Sequence, residues 1–224
     1  FGPMVGTGDA QFQPMYVTLE TFEVTAREFL RNSPARSFHP SAVNFLPGPV
    51  ALRREVRRAF EQAPESHRGD VFLADFQSTR QKLCDLVHAK SVEIMVGSGT
   101  LANDVIAAQL SLEGQRGLVL SNGEFGSRLV DHARRQRLDF ETLEIPWGEA
   151  FDWSAVRRRI ERIPNLAWLW VPHCETSTGV LNDLETLKAL ARDYGLKLCL
   201  DCISSIGAVP VNLSGVFLAS CASG

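Results

Sequence analysis

Short apolar runs alternate with longer amphipathic stretches along most of this 224-residue chain, and this alternation restricts the fold more than any other feature. The apolar runs have about the length of a buried strand, and the stretches between them have about the length of a helix. Parallel strands need such helical crossovers, and helices on both faces of a sheet make its strands apolar throughout. The pattern therefore predicts an α/β fold with a mostly parallel sheet sandwiched by helices.

The predicted elements cover the chain from residue 50 onward. Helical spacing predicts helices at 50–63, 76–89, 101–112, 125–136, 153–163 and 184–194. Apolar runs predict strands at 92–96, 118–120, 140–145, 166–171 and 196–200. Ligands of parallel sheets bind beyond the carboxyl ends of the strands, so the residues that follow these runs are the candidates for chemistry.

Charge and apolar content exclude two classes of partner. A net charge of −3 gives no basic surface, so no nucleic acid is expected as a partner. No apolar run reaches 18 residues, so no membrane-spanning segment is expected.

Cysteine usage bears on the compartment and on metal binding. Five scattered cysteines do not form the framework of a secreted disulfide protein, which predicts a reducing compartment, the cytoplasm. Cys199 and Cys202 form a C-x-x-C pair, but residues three apart on a strand face opposite sides of the sheet. We therefore expect no metal site from this pair.

The turn after residues 92–96 is a candidate anion site. Gly97-Ser98-Gly99-Thr100 opens a helix, where small residues allow close approach and free backbone amides point outward. Gly97, Gly99 and Ala102 also satisfy the G-x-G-x-x-G/A fingerprint of a dinucleotide site. The residues themselves leave open a dinucleotide site, a monophosphate site and a plain helix cap.

Three later strand ends also carry candidate residues. Phe125 opens a helix, where it could stack on a flat ring or belong to the core. A dense polar loop, residues 172–180, follows the run at 166–171. Asp201 ends an apolar run, where a carboxylate needs a partner such as a protonated pyridine nitrogen, an arginine or a helix N-terminus.

Seven segments, taken in order, resemble the class V, fold-type-I enzymes that depend on pyridoxal 5′-phosphate (PLP). They are Pro47-Gly-Pro-Val50, His67-Arg68, Gly97-Ser-Gly-Thr100, Gly123-Glu-Phe-Gly126, His173-Cys-Glu-Thr-Ser-Thr-Gly179, Asp201-Cys-Ile-Ser-Ser205 and Ala222-Ser-Gly224. The resemblance spans about residues 44–224 and is strongest to alanine–glyoxylate, serine–pyruvate and 2-aminoethylphosphonate transaminases. It implies a homodimer that transfers an amino group from an amino acid to a small 2-oxo acid.

The resemblance also assigns roles to individual residues. The cofactor phosphate would be held by Ser98, Gly99 and Thr100, with a further contact from Ser223. Phe125 would stack on the pyridine ring, and Thr176 would donate a hydrogen bond to the ring hydroxyl. Asp201 would pair with the pyridine N–H and is the catalytic residue within the chain.

By the same resemblance, the Schiff-base lysine would come just after Gly224, followed by a C-terminal small domain. We therefore expect residues 41–224 to form a PLP-binding large domain that is truncated before this lysine and inactive as a transaminase by itself. Residues 1–40 are expected to be an N-terminal extension or linker. Within it, residues 12–20 resemble the closing strand of a GNAT acetyltransferase.

Three alternatives remain open from the sequence. The same constellation serves class V lyases and desulfurases. A Rossmann-type enzyme could use Gly97, Gly99 and Ala102, but it leaves Asp201 and the 172–180 loop unexplained. A non-catalytic protein that only dimerises is the third alternative.

Overall fold

The computed structural model describes residues 52–63 and 65–223. The predicted extension at 1–40, its GNAT-like segment and the boundary at residue 41 lie outside these residues. The described helices are α1 (Arg54–Ala59), α2 (Asp70–Val87), α3 (Gly99–Glu113), α4 (Glu124–Arg135), α5 (Trp153–Arg162) and α6 (Leu184–Tyr194). The strands are β1 (Arg116–Ser121), β2 (Phe140–Glu144), β3 (Leu166–Pro172), β4 (Cys174–Glu175), β5 (Val180–Leu181), β6 (Lys197–Asp201) and β7 (Leu218–Ser220).

Five of these strands form one parallel sheet in the order β2-β1-β3-β6-β7. β4 and β5 form a separate antiparallel pair. The predicted α/β fold with a mostly parallel sheet is therefore confirmed. β1, β3 and β6 lie side by side, so the residues that follow them meet at one edge of the sheet.

The sheet is buried on both faces, which explains its continuous apolar strands. Leu169 and Val171 of β3 pack in a cluster with α5 and α6. Trp168 and Trp170, which point the other way, pack with α3 and α4. Helices therefore sandwich the sheet, as predicted.

The two cysteines of the C-x-x-C pair lie in different core clusters. Cys199 packs with α3 and α4, whereas Cys202 packs with α5 and α6. The expectation that they face opposite sides of the sheet is confirmed.

The strand predicted at 92–96 is wrong. These residues have no regular secondary structure, and Ile94, Met95 and Val96 are exposed. An apolar run becomes a strand only where a neighbouring strand satisfies its backbone groups, and no described strand pairs with this one.

Two other features were not predicted. β7 has three residues, too few to show a pattern, and the β4–β5 pair lies within the polar loop. α2 begins at Asp70, six positions before the predicted start at residue 76, because apolar spacing does not mark its first turns.

Among the described helices, none combines the length and apolar content needed to cross a bilayer.

Candidate functional site

A cavity of about 170 Å³ lies where α3, α4 and the end of β6 meet. Its lining residues are Gly99, Thr100 and Asn103 of α3, Phe125, Arg128 and His132 of α4, and Asp201 and Ile203 at the end of β6. The structure thus brings together Gly99, Thr100, Phe125 and Asp201, four of the residues that the sequence singled out. This is the edge of the sheet where chemistry was expected.

A wider open groove of about 380 Å³ lies at the opposite edge of the sheet. Its lining includes Gln115, Arg116 and Asp139, which precede or begin the strands. Arg116 is paired with both Asp139 and Glu141, so its charge is already matched. The smaller cavity is therefore the better candidate for a site.

The first part of the cavity is the N-terminus of α3. Ser98 caps this helix, and its Oγ accepts a hydrogen bond from the Leu101 N–H at 3.3 Å. Within the described part of the chain, the backbone amides of Gly99 and Thr100 have no acceptor. Free amides and the positive end of the helix dipole together favour an anion.

Gly99 also sets the shape of this end of the cavity. A Cβ at this position would lie 2.6 Å from Cδ1 of Ile203, which is closer than van der Waals contact allows. The absence of a side chain lets Ile203 pack directly against the first turn of α3. The requirement at position 99 is therefore steric.

Asp201 lies at the other side of the cavity and is 6% exposed. Its Oδ2 accepts a hydrogen bond from Nδ2 of Asn103 at 2.8 Å, and its Oδ1 accepts one from the Ile203 N–H at 3.0 Å. Burial raises the pKa of Asp201, and these two hydrogen bonds oppose the increase. No lysine or arginine among the described residues forms an ion pair with this carboxylate, so the arginine partner considered from the sequence is not found.

Asn103 is a site residue that the sequence analysis missed. It lies on the buried face of α3 with Ile106, Ala107 and Leu110, at helical spacing of three, four and seven residues. An asparagine at such a position is costly unless it is hydrogen-bonded, and this was the available signal.

Phe125 is the second residue of α4, and its half-buried ring forms a wall of the cavity. The guanidinium carbon of Arg128 lies 5.1 Å from the ring centroid, within cation–π range. Arg128 also pairs with Oε1 of Glu124 at 2.9 Å. The ring is therefore held between the cavity and a partly neutralised arginine.

Glu175 fixes the start of α4 and with it the position of Phe125. This fully buried carboxylate accepts hydrogen bonds from the Gly126 N–H at 2.9 Å and from Oγ of Ser177 at 2.6 Å. A Cβ on Gly123 would lie 2.5 Å from Cγ and Cδ of Glu175, so a glycine is needed for this approach. Glu175 does not line the cavity, whereas Asp201 does.

A second titratable group, His132, lines the same cavity. Its Nδ1 lies 2.6 Å from Oδ1 of Asp104, which also accepts a hydrogen bond from Arg135 at 3.0 Å. The positive charge that His132 can carry favours the ionised form of Asp201. This histidine was not singled out from the sequence.

Three residues singled out from the sequence, Thr176, Ser223 and Ser98, do not line the cavity. The Thr176 hydroxyl donates a hydrogen bond to Oγ of Ser204. Ser223 is exposed and follows β7. Ser98, the cap of α3, flanks the cavity without lining it.

Taken together, the cavity offers amide donors at one end and the Asp201 carboxylate at the other, with Phe125 and Ile203 as apolar walls and with Arg128 and His132 also in its lining. Such a set is suited to a flat cationic ring that carries an anionic substituent. The dinucleotide fingerprint needs a strand directly before Gly97, and the described residues contain none there.

Known proteins match most of this chain. The family described as aminotransferase class-V matches residues 58–220. The 2-aminoethylphosphonate–pyruvate transaminase of Aeromonas hydrophila is 28% identical over 184 residues, which cover 78% of this chain and 48% of that protein. The 2-aminoethylphosphonate–pyruvate transaminase 1 of Burkholderia lata is 33% identical over 187 residues, which cover 79% of this chain and 48% of that protein.

Among solved structures, the alanine–glyoxylate aminotransferase from Nostoc sp. superposes with a TM-score of 0.72 at 32% identity. The match covers 79% of this chain and 48% of that one. The chain thus spans about half the length of the relatives that it matches.

Proposed function

The chain belongs to the class-V aminotransferase family, and on this premise we propose that it forms the PLP-binding part of an enzyme that transfers an amino group from an amino acid to a small 2-oxo acid. This proposal rests on the environment of Asp201. This residue is a buried carboxylate that faces a cavity and forms no ion pair with a lysine or arginine among the described residues, and the free N-terminus of a helix lines the same cavity.

The donor set of the cavity fits PLP. The amides of Gly99 and Thr100 and the hydroxyl of Ser98 would hold the phosphate, because they surround the N-terminus of α3. Phe125 would cover the ring, and Asp201 would accept a hydrogen bond from the pyridine N–H. Protonation of this nitrogen would give the carboxylate a cation in direct hydrogen-bond contact, which none of the described residues supplies.

Two further contacts rest on the resemblance alone. Thr176 would donate to the ring hydroxyl, and to do so its hydroxyl would exchange its present acceptor, Ser204. Ser223, exposed after β7, would add a second hydroxyl to the phosphate site.

Bound PLP supplies an electron-withdrawing ring that stabilises negative charge on the reacting carbon of the substrate. The chain contributes the electrostatics that this chemistry requires. Asp201 would keep the proton on the ring nitrogen, and the end of α3 would hold the phosphate in place. Phe125 and Ile203 would exclude water from the ring faces that they cover.

The proposed acceptor is a small 2-oxo acid such as pyruvate or glyoxylate. The support is that the three relatives described above, at 28–33% identity, are named for transamination with pyruvate or glyoxylate. A cysteine desulfurase from Thermococcus onnurineus is 22% identical and shares the fold alone. The desulfurase alternative therefore gains no support from it.

We also propose that the protein is a homodimer of the cytoplasm. The support for dimerisation is the apolar surface of α2, where Val71 and Leu86 are 64% and 58% exposed. A second copy of this chain is the partner that the family resemblance implies. The support for a reducing compartment is that all five cysteines are free thiols.

Equilibrium dialysis of the chain against PLP tests the cofactor proposal. We expect saturable binding with one site per chain, and a Kd about tenfold or more higher in Asp201→Ala, because a charge-assisted hydrogen bond is lost. Asp193→Ala, which changes an exposed carboxylate on α6, is the matched control and should bind as the parent does. Equal affinity of the parent and Asp201→Ala would refute the assignment.

A further inference from the structure

Three buried polar side chains from three elements form a continuous chain of hydrogen bonds behind the cavity. Oγ of Ser220, on β7, donates to Oδ1 of Asn103 at 2.6 Å. Nδ2 of Asn103, on α3, donates to Oδ2 of Asp201 at 2.8 Å. The three residues are 3%, 4% and 6% exposed, so water cannot readily replace any of these partners.

The chemistry of the groups determines the orientation of the Asn103 amide. An ionised carboxylate only accepts hydrogen bonds, so the carbonyl end of the amide would be repelled by Asp201 if it faced it. The NH₂ end must therefore face Asp201, and the carbonyl end then needs a donor. The Ser220 hydroxyl is that donor, and its other acceptor, the Leu200 carbonyl, is more distant at 3.4 Å.

Asn103 also lies on the helix that forms the anion site. It is one turn beyond Gly99 and Thr100, and all three line the same cavity. One rigid helix thus carries the free amides at its start and the donor to Asp201 a turn later. The distance between the two ends of the cavity is set within this single element.

We propose that Asn103, oriented by Ser220, is a positioning residue that holds the Asp201 carboxylate ionised and directed into the cofactor cavity. This inference rests on the proposed function for its biological meaning. The contact with Asp201 itself is independent of any ligand. Asn103 acts through Asp201 and has no direct role in the chemistry.

Other groups near Asp201 act on it without direct hydrogen bonds. Glu175 disfavours its negative charge, and a protonated His132 favours it. Burial, and to a lesser extent the charge of Asp201, raise the pKa values of the thiols of Cys174, Cys202 and Cys221, and for Cys174 the charge of Glu175 adds to this. Besides the Ile203 N–H, the Asn103 amide is the donor that contacts the carboxylate among the described residues.

Titration of the complete 224-residue chain without cofactor tests the proposal. Aspartate would be labelled with ¹³C at Cγ, and the Asp201 signal would be assigned by its absence in Asp201→Asn. In Asn103→Leu, which has nearly the same shape, we expect the midpoint of Asp201 to rise by about one pH unit or more. Asn122→Leu is the matched control, because Asn122 is equally buried but bonds to Glu149 and Asn182.

Ser220→Ala is a second, milder variant that keeps Asn103 in place. We expect a smaller rise of the same midpoint, because the amide loses the donor that orients it, and Ser220→Thr should restore the parent value. A midpoint that stays unchanged in either Asn103→Leu or Ser220→Ala would overturn the proposal. So would an equal rise in Asn122→Leu, because the effect would then reflect a general loss of packing.

PLP binding by the same variants separates this inference from the proposed function. We expect Asn103→Leu to raise the Kd for PLP several-fold, in parallel with the midpoint of Asp201. If the parent chain fails to bind PLP while the midpoint still rises in Asn103→Leu, the cofactor assignment is wrong and the action of Asn103 on Asp201 stands. If PLP binds and the midpoint does not move, Asn103 has no positioning role.

Discussion

At the scale of single residues, the site contains two buried carboxylates whose surroundings differ. Glu175 has its hydrogen bonds supplied by the start of α4 and by Ser177. Asp201 has two donors and faces a cavity. A buried carboxylate is costly unless it is matched, so a fully matched one serves the structure and one left facing a cavity is suited to a ligand.

The matched carboxylate leads to a prediction of stability. Glu175→Gln replaces one acceptor oxygen by an NH₂ group that must face N–H or O–H donors. We expect the free energy of unfolding to fall by about 2 kcal/mol. Urea denaturation measures this change, and Glu185→Gln, at an exposed residue on α6, should alter it by less than about 0.5 kcal/mol. An equal loss of unfolding free energy at both positions would show that Glu175 does not stabilise the start of α4.

At the scale of elements, the capped N-termini of helices help to position the candidate site. Ser98 caps α3 at the candidate anion site, and Asp183 caps α6, which covers the opposite face of the sheet. Asp183 accepts hydrogen bonds from the backbone amides of Glu185 and Thr186 and from the Thr186 hydroxyl at 2.7 Å. These caps satisfy amides that the helix itself cannot.

The cap of α6 has a predictable pH dependence. The hydrogen bonds from Thr186 lower the pKa of Asp183 below its ordinary value of 3.8. The stability that the Asp183 cap contributes is therefore fully present above the ordinary pKa. It is lost as the pH falls through the lower pKa of the folded state. We expect Asp183→Ala to reduce the free energy of unfolding by about 1 kcal/mol at neutral pH, and the difference to vanish in strong acid.

Thermal denaturation of the parent and Asp183→Ala between neutral and acidic pH checks this expectation. Asp193→Ala, at the other end of the same helix, removes only surface ion pairs and should have little effect at any pH. A difference between Asp183→Ala and the parent that persists in strong acid would show that the cap does not act through its carboxylate.

At the scale of the whole molecule, apolar residues remain exposed on α2. Val87 is the buried residue of this 18-residue helix, although Val71, Phe72, Leu73 and Leu86 are all apolar. A helix of this composition normally buries a face against a neighbour. The homodimer proposed above supplies such a neighbour.

A charge on this surface should weaken the dimer. Leu86 is 58% exposed, so Leu86→Glu costs little in the monomer but would bury a charge at an interface. We expect sedimentation equilibrium to show a dimer for the parent and a dissociation constant at least about tenfold higher for Leu86→Glu. Gln77→Glu adds the same charge elsewhere on α2 and is the control. A parent that sediments as a monomer would contradict the proposal.

The sequence by itself determined the class of fold and one end of the site. Strands buried on both faces must be apolar throughout, so β1, β3 and β6 could be predicted from their apolar runs. Helical spacing predicted α6 with its observed bounds. A carboxylate directly after such a run needs a partner, which is why Asp201 could be singled out. These are consequences of local spacing, which a sequence records directly.

Only the tertiary structure decided which groups meet. Asn103 and Ser220 are 117 positions apart and contact each other because α3 packs against the end of the sheet beside β7. Conversely, residues 92–96 are apolar but have no described strand to pair with, so they are not a strand. Periodicity reports the face on which a residue lies, whereas pairing and hydrogen bonding across elements depend on contacts between distant parts of the chain, which no local pattern encodes.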